Sequence, residues 1–99
     1  MHALIMTQSL DQAEVPAHAE LYEEVAPAMS AVRGLVSLTW LMNLETGSAG
    51  GFYLFELKSD FDRFVASELF DLVRGSNANM SDFAVGGHVT STTRKEYQC

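Results

Sequence analysis

Hydrophobic positions along this chain change period four times, and each change marks an element. Residues 2 to 9, His-Ala-Leu-Ile-Met-Thr-Gln-Ser, are apolar on both faces in the middle, as in a strand covered on two sides. A polar connection follows at residues 10 to 14. Val15, His18, Tyr22, Val25, Met29 and Val32 then recur at helical spacing, which predicts a helix from Val15 to Val32 with a single inward stripe. Glu20, Glu23 and Glu24 fall largely outside that stripe. Pro16 suits the first turn, where a missing N–H does no harm, whereas Pro27 cannot donate to the Glu23 carbonyl and predicts a kink. Gly34 is placed to stop the helix.

From Gly34 to Leu57 the pattern changes to two apolar runs around Glu-Thr-Gly-Ser-Ala, which reads as a β-hairpin. With a tight turn at Thr46 and Gly47, Trp40 faces Tyr53 and Leu38 faces Phe55. All four then share one face of the sheet. A second helical pattern follows, with Ser59 as cap and Asp60 and Asp62 in the first turn. Its inward stripe is Phe61, Phe64, Val65, Leu69, Leu72 and Val73, with Ser67 a point where it divides in two. After a loop at residues 75 to 79, Met80 to Thr90 read as a last strand, with Gly86 and Gly87 as a bulge. The domain is expected to span residues 1–90, and residues 91–99 form a polar tail.

The order strand, helix, strand, strand, helix, strand predicts an α+β, ferredoxin-like βαββαβ fold with a four-stranded antiparallel sheet. Both helical segments cover one face. The other face is left with an apolar set, either Leu4 and Met6 or Ala3 and Ile5, together with the matching hairpin residues. Exposed apolar area costs about 25 cal/mol per Å². A homodimer joined sheet to sheet is therefore expected.

Composition narrows the partners. The 99 residues carry six basic and thirteen acidic side chains, a net charge of -7, which argues against nucleic acid or an anionic membrane surface. No apolar run suits a bilayer span and no leader pattern opens the chain. Cys99 is the one cysteine, so no internal disulfide can form, and a cytoplasmic location is expected.

The segment Gly34-Leu35 through Thr39-Trp40-Leu41 to Gly50-Gly51-Phe52-Tyr53-Leu54-Phe55, with Asp82-Phe83-Ala84-Val85 as a last strand, resembles the YdhR-like putative monooxygenases of the dimeric α/β barrel superfamily. The chain departs from that pattern at Leu38, where relatives tend to carry lysine, at Arg33, where they tend to carry proline, and after Val85. The resemblance implies oxidation of an electron-rich aromatic, quinol-like or polyketide-derived substrate without metal, flavin or other cofactor. The substrate would be deprotonated and its anion would react directly with dioxygen.

Such chemistry needs a dry pocket, a base and donors for the developing oxyanion. His18, on the buried stripe one turn from Tyr22, is the candidate base. Tyr22, Trp40 and Tyr53 are the candidate orienting donors, with Met6, Leu38, Phe55, Phe64 and His88 around the substrate. The plainer alternatives are a core histidine bonded to backbone, ordinary aromatic packing and a surface histidine at 88. Metal binding is not expected, since His2, His18 and His88 are scattered without ligand spacing. The same pocket also suits a non-catalytic dimeric protein that binds a small aromatic molecule, or a cyclase or isomerase.

Overall fold

The computed structural model describes residues 1–75 and 77–85. Strand β1 (His2–Ser9) leads through a 3-10 turn (Gln12–Glu14) into helix α1 (Val15–Ser30). The hairpin β2 (Leu35–Asn43) and β3 (Ser48–Phe55) follows, then helices α2 (Lys58–Val65) and α3 (Glu68–Val73), and strand β4 (Asn79–Ala84). The described strands form one antiparallel sheet in the order β2-β3-β1-β4. This is the α+β ferredoxin-like arrangement that the periodicity predicts.

The hairpin keeps the expected face but not the expected partners. Asn43 pairs with Ser48, so the loop is the four residues Leu44 to Gly47 rather than a two-residue turn. The Asn43 side chain holds this loop, its Oδ1 accepting from the N–H groups of Glu45 and Thr46 at 3.0 and 3.3 Å. Gly47 supplies the left-handed residue, with φ 72°. Trp40 therefore lies opposite Gly51, and Tyr53 opposite Leu38. The register differs from the expected one by an even step, and side chains alternate with period two, so Leu38, Trp40, Tyr53 and Phe55 still share a face. Val36 is the irregular residue where the β2–β3 register shifts.

Helix α1 runs on through Pro27 and ends at Ser30, short of Val32, with Ala31 as its C-cap. Gly34 acts later, in the turn into β2. Its φ is 81°, and a Cβ there would run into the buried Asp60 carboxylate, which pairs with Arg63 at 3.1 Å. The second helical segment does divide at Ser67, whose hydroxyl accepts from the Phe70 N–H and caps α3. Its start differs from expectation: Leu57, not Ser59, is the N-cap of α2, because Leu57 is extended while Ser59 is already helical. Leu72 is also corrected, being 60% exposed once the break at Ser67 resets the phase of the stripe. Strand β4 begins at Asn79 and is described as far as Ala84. The expected bulge at Gly86-Gly87 and the tail at residues 91–99 lie outside the described residues.

The core lies between the sheet and the helices. Leu4 and Met6 from β1, Tyr53 and Phe55 from β3, Tyr22, Val25 and Met29 from α1, and Phe61, Phe64, Phe70 and Val73 from α2 and α3 are all buried there. Leu4 and Met6 thus face the helices, and Ala3 and Ile5 take the other face. There Ile5 pairs with Phe52, and Ala3 with Leu54 and Phe83. Phe52 and Phe83 remain 37% and 54% exposed on that face.

Candidate functional site

The face that α1 turns to the edge strand β2 is Ala19, Tyr22, Glu23 and Ala26, one helical stripe in which two alanines bracket a tyrosine. Tyr22 reaches the sheet and stacks on Trp40, with ring centroids 4.1 Å apart and planes 14° from parallel. Where the alanines stand, helix and strand do not close. Two clefts of about 370 Å³ each flank Trp40 along this seam. Ala26, Met29, Leu35 and Leu38 help line one, and Ala19, Tyr22, Glu23, Ala26 and Met42 the other. Gly51 opposite Trp40 leaves room on the facing strand, since a Cβ there would crowd the Tyr53 ring.

The four aromatic residues predicted to carry chemistry form one continuous chain. His18 meets Tyr22 edge-on at 4.6 Å, and Trp40 meets Tyr53 edge-on at 6.4 Å. Burial pushes the Tyr53 phenol up strongly, and the nearby Tyr22 adds to the rise. Burial also raises Tyr22, with the Gln8 side chain opposing it. Both phenols therefore stay protonated at neutral pH. Neither buried hydroxyl has a hydrogen-bond partner among the described residues. An unmade bond of this kind costs about 1–3 kcal/mol.

Gln8 is the residue that period-based reading passed over. It lies on the helix-facing side of β1, 3% exposed. Its Nε2 is 2.8 Å from the Val73 carbonyl oxygen and 2.8 Å from His18 Nε2. A carbonyl only accepts, so the amide must present its NH₂ end to Val73. Its second N–H then meets the lone pair of His18 Nε2, and the imidazole proton resides on Nδ1. Burial lowers the His18 pKa below its ordinary value, with the Glu14 charge pulling the other way. His18 is thus neutral, and its lone pair is turned to Gln8. A glutamine in step with Leu4 and Met6 was the available signal, because a buried amide must find partners.

The other predicted lining residues separate. Leu38 lines a cleft beside Trp40. Met6 and Phe55 are fully buried in the core and line neither cleft. Phe64 borders a separate cavity of about 140 Å³ between Val32, Arg33, Asp60 and Arg63. His88 lies outside the described residues. The space beneath α2 and α3 is occupied by aromatic rings, and the open volume lies beside them, at the α1–β2 seam.

Comparison with known proteins agrees with this architecture. The family described as "Putative mono-oxygenase ydhR" matches residues 6–95, and the chain belongs to that family. Among solved structures, one described as a putative antibiotic biosynthesis monooxygenase from Deinococcus radiodurans superposes with a TM-score of 0.74 at 12% identity, covering 87% of this chain and 93% of that one. A protein of unknown function from Nitrosomonas europaea gives 0.73 at 13% identity, covering 85% and 87%. A conserved protein from Methanosarcina mazei Go1 gives 0.72 at 10% identity, covering 86% and 92%. At such identities the likeness is one of fold. The search of curated proteins returns no match. No helix among the described residues is long and apolar enough to cross a membrane.

Proposed function

We propose that this protein is a cofactor-independent monooxygenase whose substrate, an electron-rich phenol, quinol or aromatic with an activated methylene, lies in the seam against Trp40. The observation that carries this reading is the seam itself: an apolar opening beside a stacked Trp40–Tyr22 pair, with the neutral His18 imidazole edge-on to Tyr22. Such a cleft offers a flat ring an apolar face to lie against. His18 takes the proton. Its accepting atom, Nε2, is held by the Gln8 amide and His18 lines neither cleft, so the imidazole must leave that amide to reach a substrate in the seam. Tyr22 and Trp40, which line the seam, contribute the donors that orient the substrate and its anion, while Tyr53 is fully buried behind Trp40 and lines neither cleft. For an activated methylene, the carbanion reduces dioxygen and a hydroperoxide forms at that carbon. Loss of water leaves a carbonyl. One oxygen atom enters the product, the other leaves as water, and the substrate supplies every electron.

The partner in this reading is a second copy of the chain. Ile5, Leu41, Phe52, Leu54 and Phe83 leave an apolar sheet face that pairing back to back would cover. Sedimentation equilibrium at low micromolar concentration is expected to give a dimer, and a clean monomer would overturn the pairing. A cytoplasmic location suits a chain with a single cysteine.

One observation favours a second reading, a non-catalytic holder of a small aromatic molecule: the His18 lone pair is already engaged. Oxygen uptake with a panel of anthrones and hydroquinones separates the two. The enzyme consumes oxygen in step with product, and His18→Ala and Trp40→Phe both slow it. Saturable quenching of Trp40 fluorescence with no oxygen uptake would assign the second reading instead.

A further inference from the structure

Charge around the seam is one-sided. Helix α1 carries Glu20, Glu23 and Glu24 and neither lysine nor arginine, and β2 carries no charged residue. Among the described residues, Glu23 is the one charged side chain that lines either cleft. It stands next in sequence to Tyr22, whose ring stacks on Trp40. The cleft therefore combines aromatic rings, the Met42 side chain and small alanines in an apolar wall, with the exposed Glu23 at its rim.

Each of these features treats ligand charge in the same direction. The face of an indole or phenol ring attracts a cation through its quadrupole. An exposed carboxylate at the rim of an apolar wall attracts a cation or a donor and repels an anion, with the modest strength of a solvent-screened charge. The net charge of -7 extends that preference to the approach. An aromatic ligand bearing a carboxylate would meet Glu23 with no lysine or arginine lining the cleft to offset it. We infer that Glu23 makes the Trp40 cleft selective for an aromatic ligand that carries a protonated amine, and sets it against aromatic carboxylates. This rests on the reading of the seam as the ligand site, and it narrows the substrate class to amine-bearing phenols.

The test uses three ligands with one ring and three charges: tyramine, 4-ethylphenol and 3-(4-hydroxyphenyl)propionate. The protein has a single tryptophan, so its indole N–H gives one cross-peak in a ¹⁵N-correlated NMR spectrum that reports on the cleft directly. Tyramine is expected to bind about fivefold more tightly than ethylphenol, with the carboxylate weakest, as fits one charge contact at an exposed site together with a cation–π contact. In Glu23→Gln the ratio of tyramine to ethylphenol affinity falls to within about twofold, and the rest of the spectrum stays native. In 1 M salt, where the screening length is about 3 Å, the wild-type preference shrinks as well. If ethylphenol moves the Trp40 peak but the three ligands bind alike, or if Glu23→Gln leaves their order intact, the charge selection is wrong and the seam remains the ligand site. If none of the three moves that peak, the seam reading fails and the selection falls with it.

Discussion

The two ends of the helical layer solve the same packing problem in opposite ways. Over β1 and β3, α2 and α3 bring Phe61, Phe64 and Phe70 down onto Tyr53 and Phe55. The rings interlock at centroid distances from 5.1 to 6.4 Å, and Tyr53, Phe55 and Phe70 have no exposure at all. Over β2, α1 offers Ala19 and Ala26 on either side of Tyr22, and one aromatic stack spans a gap that stays open on both sides. Close packing rewards every filled volume, so leaving small residues above a tryptophan on an edge strand forgoes contact energy. One end of the layer holds the fold together, and the other holds space.

That contrast breaks first at its packed end. Phe70→Ala removes a ring that touches both Tyr53 and Phe64, and is expected to cost about 3–5 kcal/mol in urea-induced unfolding. A loss under about 1 kcal/mol would mean that the α3 end is not the packed one. At the open end, Ala26→Leu tests the converse. Ala26 borders both clefts and is exposed, so leucine fills space without displacing core. Stability is expected to stay within about 0.5 kcal/mol, while affinity for an aromatic ligand at Trp40 falls at least about tenfold. Calorimetric titration of the variant measures the affinity, and urea-induced unfolding measures the stability.

The smallest expected effect lies at the boundary between the two ends, where Gln8 ties α1 to α3 through His18 and Val73. Burial depresses the His18 pKa below 6.5, so the unfolded chain takes up that proton first as the pH falls. The contribution of His18 to stability is therefore complete above about pH 6.5 and is lost as the pH drops through the lowered folded value. An NMR titration of the imidazole, assigned with His18→Asn, is expected to give a midpoint below 6.5. A midpoint above it would place His18 beside an uncompensated anion rather than in the neutral site described.

The elements were legible because their signals are local. An apolar run of strand length marks β1 and β3, and the period of two makes Leu38, Trp40, Tyr53 and Phe55 share one face. That pattern leaves open which face of β1 turns to the helices, Leu4 with Met6 or Ala3 with Ile5. Recurrence at helical spacing likewise identified Tyr22, Val25 and Met29 as core, and Ser67 as a break. The pairing partners were less legible: a two-residue and a four-residue loop preserve the same parity, and only the Asn43 side chain closing on Glu45 and Thr46 decides between them.

What tertiary structure alone decided is where the volume goes. Sequence periodicity tells which way Tyr22 and Trp40 point, but not that they stack on each other, nor that Gln8 takes the lone pair of His18. Those outcomes depend on the distance between α1 and the edge of the sheet, which is set by every residue that packs between them. Period is a property of one segment. A cleft is a property of the space between two.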